Sequence, residues 1–524
     1  MADPKRRLLV IGLDGYEPSL ADRMIAAGEL PALADLRARS ARFLLDHGEA
    51  KRTGLAWEHV ATGLAPGAGG RWSAVDLDAR RYRAVQAPTR ARPFAADINA
   101  RTVVFDAPYF DLEGAPGVQG LVSWGAHDPG VAPACRPAGL DREMAARFGA
   151  YPAQEWIYGF TWPDPARCRD LARDLSRAVE VRSRAARWLL AERLPDWDLA
   201  LVVVSECHSA VEPLWHGVDA AHPLHSHPSA AAAGEGLREV YRAVDRLVGD
   251  LAAAFPDATL LAFAVHGMGP NDSDVASMAL LPELLYRDAF GRAHMRTLAW
   301  PTDAAGLPLL EPGEGWEQAM LRAVPLPPVD RARRALLRRL GRDEGGLDWM
   351  PAARYRRFWP AMDAFALPAF YDGRIRLNLR GREARGRVAP GDYDAACGRL
   401  ETLLRGCRDA LTGRAAVASI ERAGGADPRA LDPSGCDLVV IWEGSPLGLV
   451  HPELGRIGPL PYRRTGGHTG RWGEALLAGP GIAPGGRGVR DSFDVVPTII
   501  RLLGEPVPPG IAGTDLLAPE PVPA

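Results

Sequence analysis

The sequence predicts an α/β protein with a mostly parallel, doubly wound sheet, helices on both faces and a long inserted cap segment. Three observations carry that reading. Four short apolar runs, Leu8–Leu13, Arg101–Phe105, Leu199–Ser205 and Thr259–Val265, read as strands buried on both faces. Each is followed by a Gly-containing turn and then by helical periodicity, the alternation that produces right-handed crossovers. A composition of 47% hydrophobic and 24% charged residues over 524 positions suits a globule with a large core.

Along the chain, Leu8–Leu13 is the first strand, followed by helices over Ser19–Ala27 and Ala32–Arg39. After the strand Arg101–Phe105 comes a long amphipathic helix over Arg167–Leu190, and then the strand Leu199–Ser205. Gly236–Ala254 forms the next helix and Thr259–Val265 the next strand, with Ala475–Ala478 a fifth strand after a Gly-rich loop. Between about 271 and 436 the pattern changes. A basic helix around Asp330–Arg342 and a Trp/Pro-rich stretch at Trp349–Pro360 precede any strongly apolar strand, which first returns at Asp437–Trp442. The expected organisation is therefore a core from 1–270 and 437–524 with a cap from 271–436. The Pro-rich tail after Gly504 is expected to wrap the surface.

A formal charge of −3 leaves no electrostatic footprint for duplex nucleic acid or an anionic membrane. No run reaches the ~18 apolar residues of a membrane span, and Leu8–Leu13 is too short for a secretory core. The six cysteines form no C-x-x-C pair, so neither a zinc ribbon nor a disulfide framework is expected. A cytoplasmic protein is the expectation, and the oligomeric state is left open.

Ligands of open α/β sheets sit beyond the carboxyl ends of the strands. Asp14 follows the first strand, Glu206, His208 and Glu212 follow Leu199–Ser205, and His266 follows Thr259–Val265. His468 lies on the loop just before Ala475–Ala478. Singly, each is as well explained by a turn, a cap or a structural histidine, and together they offer the mixed N/O set that divalent cations take. Thr53 lies just before a short helical stretch that runs to Thr62-Gly63. It reads as a helix N-cap, or as a hydroxyl placed at the positive end of a helix dipole. Trp124-Gly125-Ala126-His127-Asp128 is either a pocket-lining loop or a structural one, and the histidines 216, 222, 225 and 227 read as a solvated loop.

These motifs resemble the alkaline phosphatase superfamily, and more narrowly its bacterial type I phosphodiesterase/nucleotide pyrophosphatase branch. The likeness runs through Val10-Ile11-Gly12-Leu13-Asp14-Gly15, Thr53-x3-Trp57-x4-Thr62-Gly63-Leu64-x-Pro66, Ser205–His216 and Tyr241-x3-Asp245. It continues through His266-Gly267-Met268-Gly269-Pro270, Arg376–Glu383 with Gly386, Gly467-His468, Gly479–Ile482 and Asp494–Thr498. The resemblance implies an alkaline phosphatase-like fold, a Thr53 nucleophile and one or two divalent ions, with zinc first and manganese as the alternative. It places Asp14, Thr53 and His266 on one metal site, and His208, Glu212 and His468 on the other, with Glu206 and His127 as supporting partners. The chain departs from the pattern at Val265, where the family has aspartate, and at His208-x3-Glu212, where the two ligand types are exchanged. The implied activity is hydrolysis of a small-molecule phosphate ester, either a phosphodiester or a nucleotide pyrophosphate bond. The alternatives are a phosphomonoesterase or phosphonate hydrolase, or a non-catalytic protein with a degenerate metal site.

Overall fold

The structure is a computed structural model, and it describes residues 7–518 apart from 70, 90, 158–163, 327–331, 333–346, 424–426 and 431–433. At its centre is a nine-stranded sheet. Its strands are β1 (Leu8–Leu13), β2 (Ala41–Asp46), β3 (Thr102–Phe105), β4 (Gln119–Val122) and β5 (Ala134–Arg136). After them come β6 (Leu199–Val204), β7 (Thr259–Ala264), β8 (Gly473–Ala478) and β9 (Gly485–Asp491). Their spatial order is β9-β2-β8-β7-β1-β6-β3-β4-β5. β1 pairs in parallel with both β6 and β7, while β8 runs antiparallel to β7 and β2, and β5 antiparallel to β4.

The apolar runs of β1, β6 and β7 have every residue buried, as central parallel strands covered on both faces must. Alternate side chains of β1 feed two cores: Leu9, Ile11 and Leu13 enter one, Leu8 and Val10 the other. The helices α1 (Pro18–Ala26), α2 (Pro31–Ala38), α3 (Ala56–Thr62), α4 (Pro165–Trp188), α5 (Glu206–Leu214) and α6 (Ala230–Ala254) follow the expected alternation. α4 and α6 pack through stripes such as Leu171, Leu175 and Val179 against Leu237, Val244 and Leu251. Asp164 caps α4 by accepting from the N–H groups of Ala166 and Arg167.

The cap builds a third core around a four-stranded antiparallel sheet, in the order Ala364–Leu367, Gly373–Leu377, Leu438–Trp442, Val417–Arg422. The strands at 364–377 and 417–422 were not expected from the sequence. Val417–Arg422 is polar and largely exposed, so it lacks an apolar run to announce it. The cap sheet also extends beyond 436 to take in Leu438–Trp442, and a hairpin from the first half of the chain joins it through a 2.6 Å bond from Tyr82 to Asn378. The basic helix expected over 330–342 lies almost wholly outside the described residues. The tail, as far as residue 518, lies on the core surface. Ala512 N–H donates to Gly63 O at 2.8 Å, and Leu516 N–H to Thr498 Oγ1 at 2.8 Å. No helix among the described residues is long and apolar enough to cross a membrane.

Candidate metal centre

Asp14 directly follows β1 and is buried, and the left-handed residue after it, Gly15, lets α5 approach. A Cβ on Gly15 would lie 2.2 Å from the His208 Cα, so only glycine admits the first turn of α5 here. That approach sets His208 Nδ1 3.1 Å from Asp14 Oδ2. One turn along α5, Glu212 Oε1 stands 3.4 Å from His208 Nε2.

The orientation of α5 comes from a buried ion network. Arg182 on α4, fully buried, pairs with Glu206 at 2.9 Å and with Asp106 at 2.8 Å. Asp106 in turn accepts from the N–H groups of Trp124 and Gly125, which fixes the loop that carries His127. The His127 ring stacks on His208 with centroids 3.8 Å apart, and its Nε2 lies 3.6 Å from Glu212 Oε1. Glu206 is thus spent on Arg182 and holds α5 in place, while His127 stands among the candidate ligands. One potential ligand atom each from His127, His208 and Glu212 lie within 4.8 Å of one another.

A two-residue ladder, Gly269–Pro270 against Gly466–Gly467, brings the other two histidines together. His266 Nδ1 donates to Gly267 O at 2.9 Å, which leaves Nε2 as an acceptor facing His468 Nδ1 at 3.2 Å. His468 Nε2 lies 3.0 Å from His208 Nε2. Because β8 is antiparallel, the residue that precedes it lies at the same rim as the residues that follow β1, β6 and β7.

Asp14, His127, His208, His266 and His468 line a small cavity of about 20 Å³. Burial lowers the imidazole pKa values, to about 4 for His266 and well below the usual range for His127 and His468. For His127 and His468 the neighbouring His208 adds to the effect. Neutral imidazole is the ligating form, and a carboxylate bonded to the far nitrogen of one ring is the usual companion of a metal-bound histidine. The donor set therefore fits a divalent cation. The small cavity shares Gly54, Tyr109, His127, Asp128 and Tyr371 with a larger one of about 720 Å³ under the cap. Thr53, Glu212, Arg463 and Arg464 also open on that larger space.

Thr53 ends a 3₁₀ turn over Gly48–Thr53, and Leu55 occupies the N-cap of α3, so Thr53 is not the helix cap. Its hydroxyl donates to Ala50 O at 2.7 Å and accepts from Leu55 N–H at 3.0 Å. Val265, at the aspartate position of the family pattern, is buried in the apolar cluster around β1 and β7. Glu58 is paired with Arg71 at 2.7 Å and accepts from Thr89, so it does not replace that aspartate. The histidines of 216–227 are only partly a solvated loop. His216 and His222 are buried, and His216 bonds Ser229 at 2.9 Å. Arg463 and Arg464 had no signal in the sequence beyond standing five and four residues before His468. Arg464 forms an ion pair with Glu212 Oε1, and its Nε donates to Asp274 Oδ2 at 2.6 Å.

No family model matches the chain, and no curated protein matches it. Solved structures do. Phosphonoacetate hydrolase from Sinorhizobium meliloti 1021, in complex with phosphonoformate, is 16% identical with a TM-score of 0.46 over 94% of each chain. Murine ectonucleotide pyrophosphatase / phosphodiesterase 5 is 10% identical with a TM-score of 0.48, over 97% of this chain and 98% of that one. A mutant of alkaline phosphatase PafA is 12% identical with a TM-score of 0.53, over 98% of this chain and 99% of that one.

Proposed function

Because the chain carries the alkaline phosphatase-like fold, we propose that it is a metal-dependent hydrolase of phosphate esters with Thr53 as nucleophile. The bond cleaved is a phosphodiester or nucleotide pyrophosphate bond in a small molecule. One observation supports this above the others: a buried hydroxyl, two guanidinium groups, and His127 and Glu212 of the imidazole-carboxylate cluster border one space, and the rest of the cluster lines the small cavity that shares His127 with it. At about 720 Å³ that space falls in the range of small-molecule sites.

Thr53 Oγ1 would attack phosphorus in line as the bond from phosphorus to the leaving oxygen breaks, and the hydroxyl proton ends on that departing oxygen. Water would then hydrolyse the phosphothreonine and restore the hydroxyl. The turn over Gly48–Thr53 holds Oγ1 between Ala50 O and Leu55 N–H, and a change of χ1 rotamer would free it for attack. Arg463 and Arg464 offer charge to phosphoryl oxygens from the cavity wall. A divalent ion, zinc first, would lower the hydroxyl pKa and neutralise developing negative charge. Trp316, Trp349 and Phe370 line the cap side of the cavity and would set the leaving-group preference.

A second reading is favoured by Val265. A chain with an apolar residue in place of a metal-site carboxylate could bind phosphate esters without cleaving them. Turnover of p-nitrophenyl phosphate, its bis ester and its thymidine ester by the metal-loaded protein separates the readings. Preference for either diester supports the proposal. Preference for the monoester points to a phosphomonoesterase, and saturable binding without turnover to a binding protein.

A further inference from the structure

The position of Arg464 bears on how many cations this centre can hold. Its guanidinium touches Glu212 Oε1, the same carboxylate oxygen that faces the Nε2 atoms of His127 and His208 at 3.6 and 3.4 Å. A cation of the protein's own therefore already occupies the coordination side of Glu212. Arg464 is held there by a second carboxylate, with Nε and Nη2 at 2.6 and 3.2 Å from Asp274, which is itself buried.

Space and charge agree with this. The cavity lined by Asp14, His208, His266 and His468 measures about 20 Å³, room for about one water-sized body. Two catalytic ions stand about 3.5–4 Å apart and would need more. Asp274 and Glu212 are paired with Arg463 and Arg464, which leaves the Asp14 and Asp128 carboxylates at the small cavity for one divalent ion to balance. Val265 removes the carboxylate that a second ion beside Asp14 would require.

We propose that this centre takes one divalent ion rather than two, and that the Arg464 guanidinium stands in the place of the second, with Glu212 as its counter-ion instead of a metal ligand. The inference rests on the metal-binding part of the proposed function and is independent of turnover. The full chain, stripped of metal and titrated with Zn²⁺ by calorimetry and elemental analysis, tests it. The wild type should take up one ion per chain. Glu212→Gln should keep that ion with less than about tenfold loss of affinity, below the roughly 10–100-fold that loss of even an outer partner of a metal ligand costs. Arg464→Met, which frees Glu212, should admit a second ion, while Arg464→Lys should hold the count at one. Two tightly bound ions in the wild type, loss of the ion in Glu212→Gln, or a single ion in folded Arg464→Met would each overturn the proposal. If Arg464→Met does not fold, the wild-type count and Glu212→Gln still decide. A chain that binds one ion as described but turns over no phosphate ester would leave this inference standing and remove the catalytic reading.

Discussion

The carboxylate of Asp14 receives its hydrogen bond from His208 Nδ1, 3.1 Å away, and so fixes which face of that imidazole is free. With the proton held on Nδ1, the Nε2 lone pair points toward His468 and Glu212. A residue at the end of one strand thereby sets the tautomer of a residue on the helix after its neighbour. Asp14→Asn should weaken metal affinity by about 10–100-fold while leaving the fold intact. Chelator competition measures this directly, and an unchanged affinity would show that Asp14 neither orients nor ligates.

Thr53→Ala should keep the fold and the metal content and lose turnover by about three orders of magnitude or more, as removal of one member of a concerted catalytic unit does. The measurement is initial rate on the preferred diester together with metal analysis of the same sample. Wild-type turnover in a metal-loaded variant would remove Thr53 from the mechanism.

His468 bridges His266 and His208, with contacts of 3.2 and 3.0 Å on its two nitrogens. His468→Ala should release metal, and activity should fall in the same proportion across a metal titration. Retained metal with lost activity would mean that His468 acts on substrate instead.

Val265 packs with Phe263 and Val203 in the core that lies on one face of β1. Val265→Asp should lower the stability of the metal-free protein by at least about 2 kcal/mol, since an unpaired carboxylate is desolvated there. Urea denaturation gives that value. Added Zn²⁺ should recover part of the loss if the strand end reaches the centre, and none if it does not.

The buried pair His216 and His222 should make the fold acid-labile. Burial is the main cause that lowers their pKa values, to about 3 and about 4, whereas in the unfolded chain both titrate near the ordinary value of 6.5. Their effect is absent above about pH 6.5. As pH falls from there toward about 4, the unfolded chain binds protons that the folded chain cannot, and stability is lost. His222 Nδ1 accepts from Leu224 N–H, a role an asparagine oxygen can take. His222→Asn should therefore flatten the fall of Tm between pH 7.5 and 5, and an unaltered slope would refute the assignment.

The central strands were legible because burial on both faces demands unbroken apolar runs, as in Leu8–Leu13 and Leu199–Val204. β9, with sequence Gly-Gly-Arg-Gly-Val-Arg-Asp, lies exposed at the sheet edge and has no such demand to reveal it. The rim histidines and Asp14 were legible because polar residues stand out directly after apolar strands. The direction of β8 was not, although it decides that His468 reaches the same rim. The ion pair of Arg464 with Glu212 joins residues far apart in sequence, and no local spacing could announce it. Glu206 was readable as a functional carboxylate only until Arg182 was placed beside it.

β1 lies near the middle of the sheet, with Leu8 flanked by Leu199 on one side and Thr259 on the other. This strand must therefore wait for more than a third of the chain before its first neighbour, Leu199–Val204, exists, and for about half before its second, Thr259–Ala264. During that interval its all-apolar sequence has no native edge to pair with, a condition that favours slow maturation and self-association of incomplete chains. Refolding from denaturant should accordingly yield less active protein as chain concentration rises, with the loss appearing as aggregate rather than as a folded inactive form.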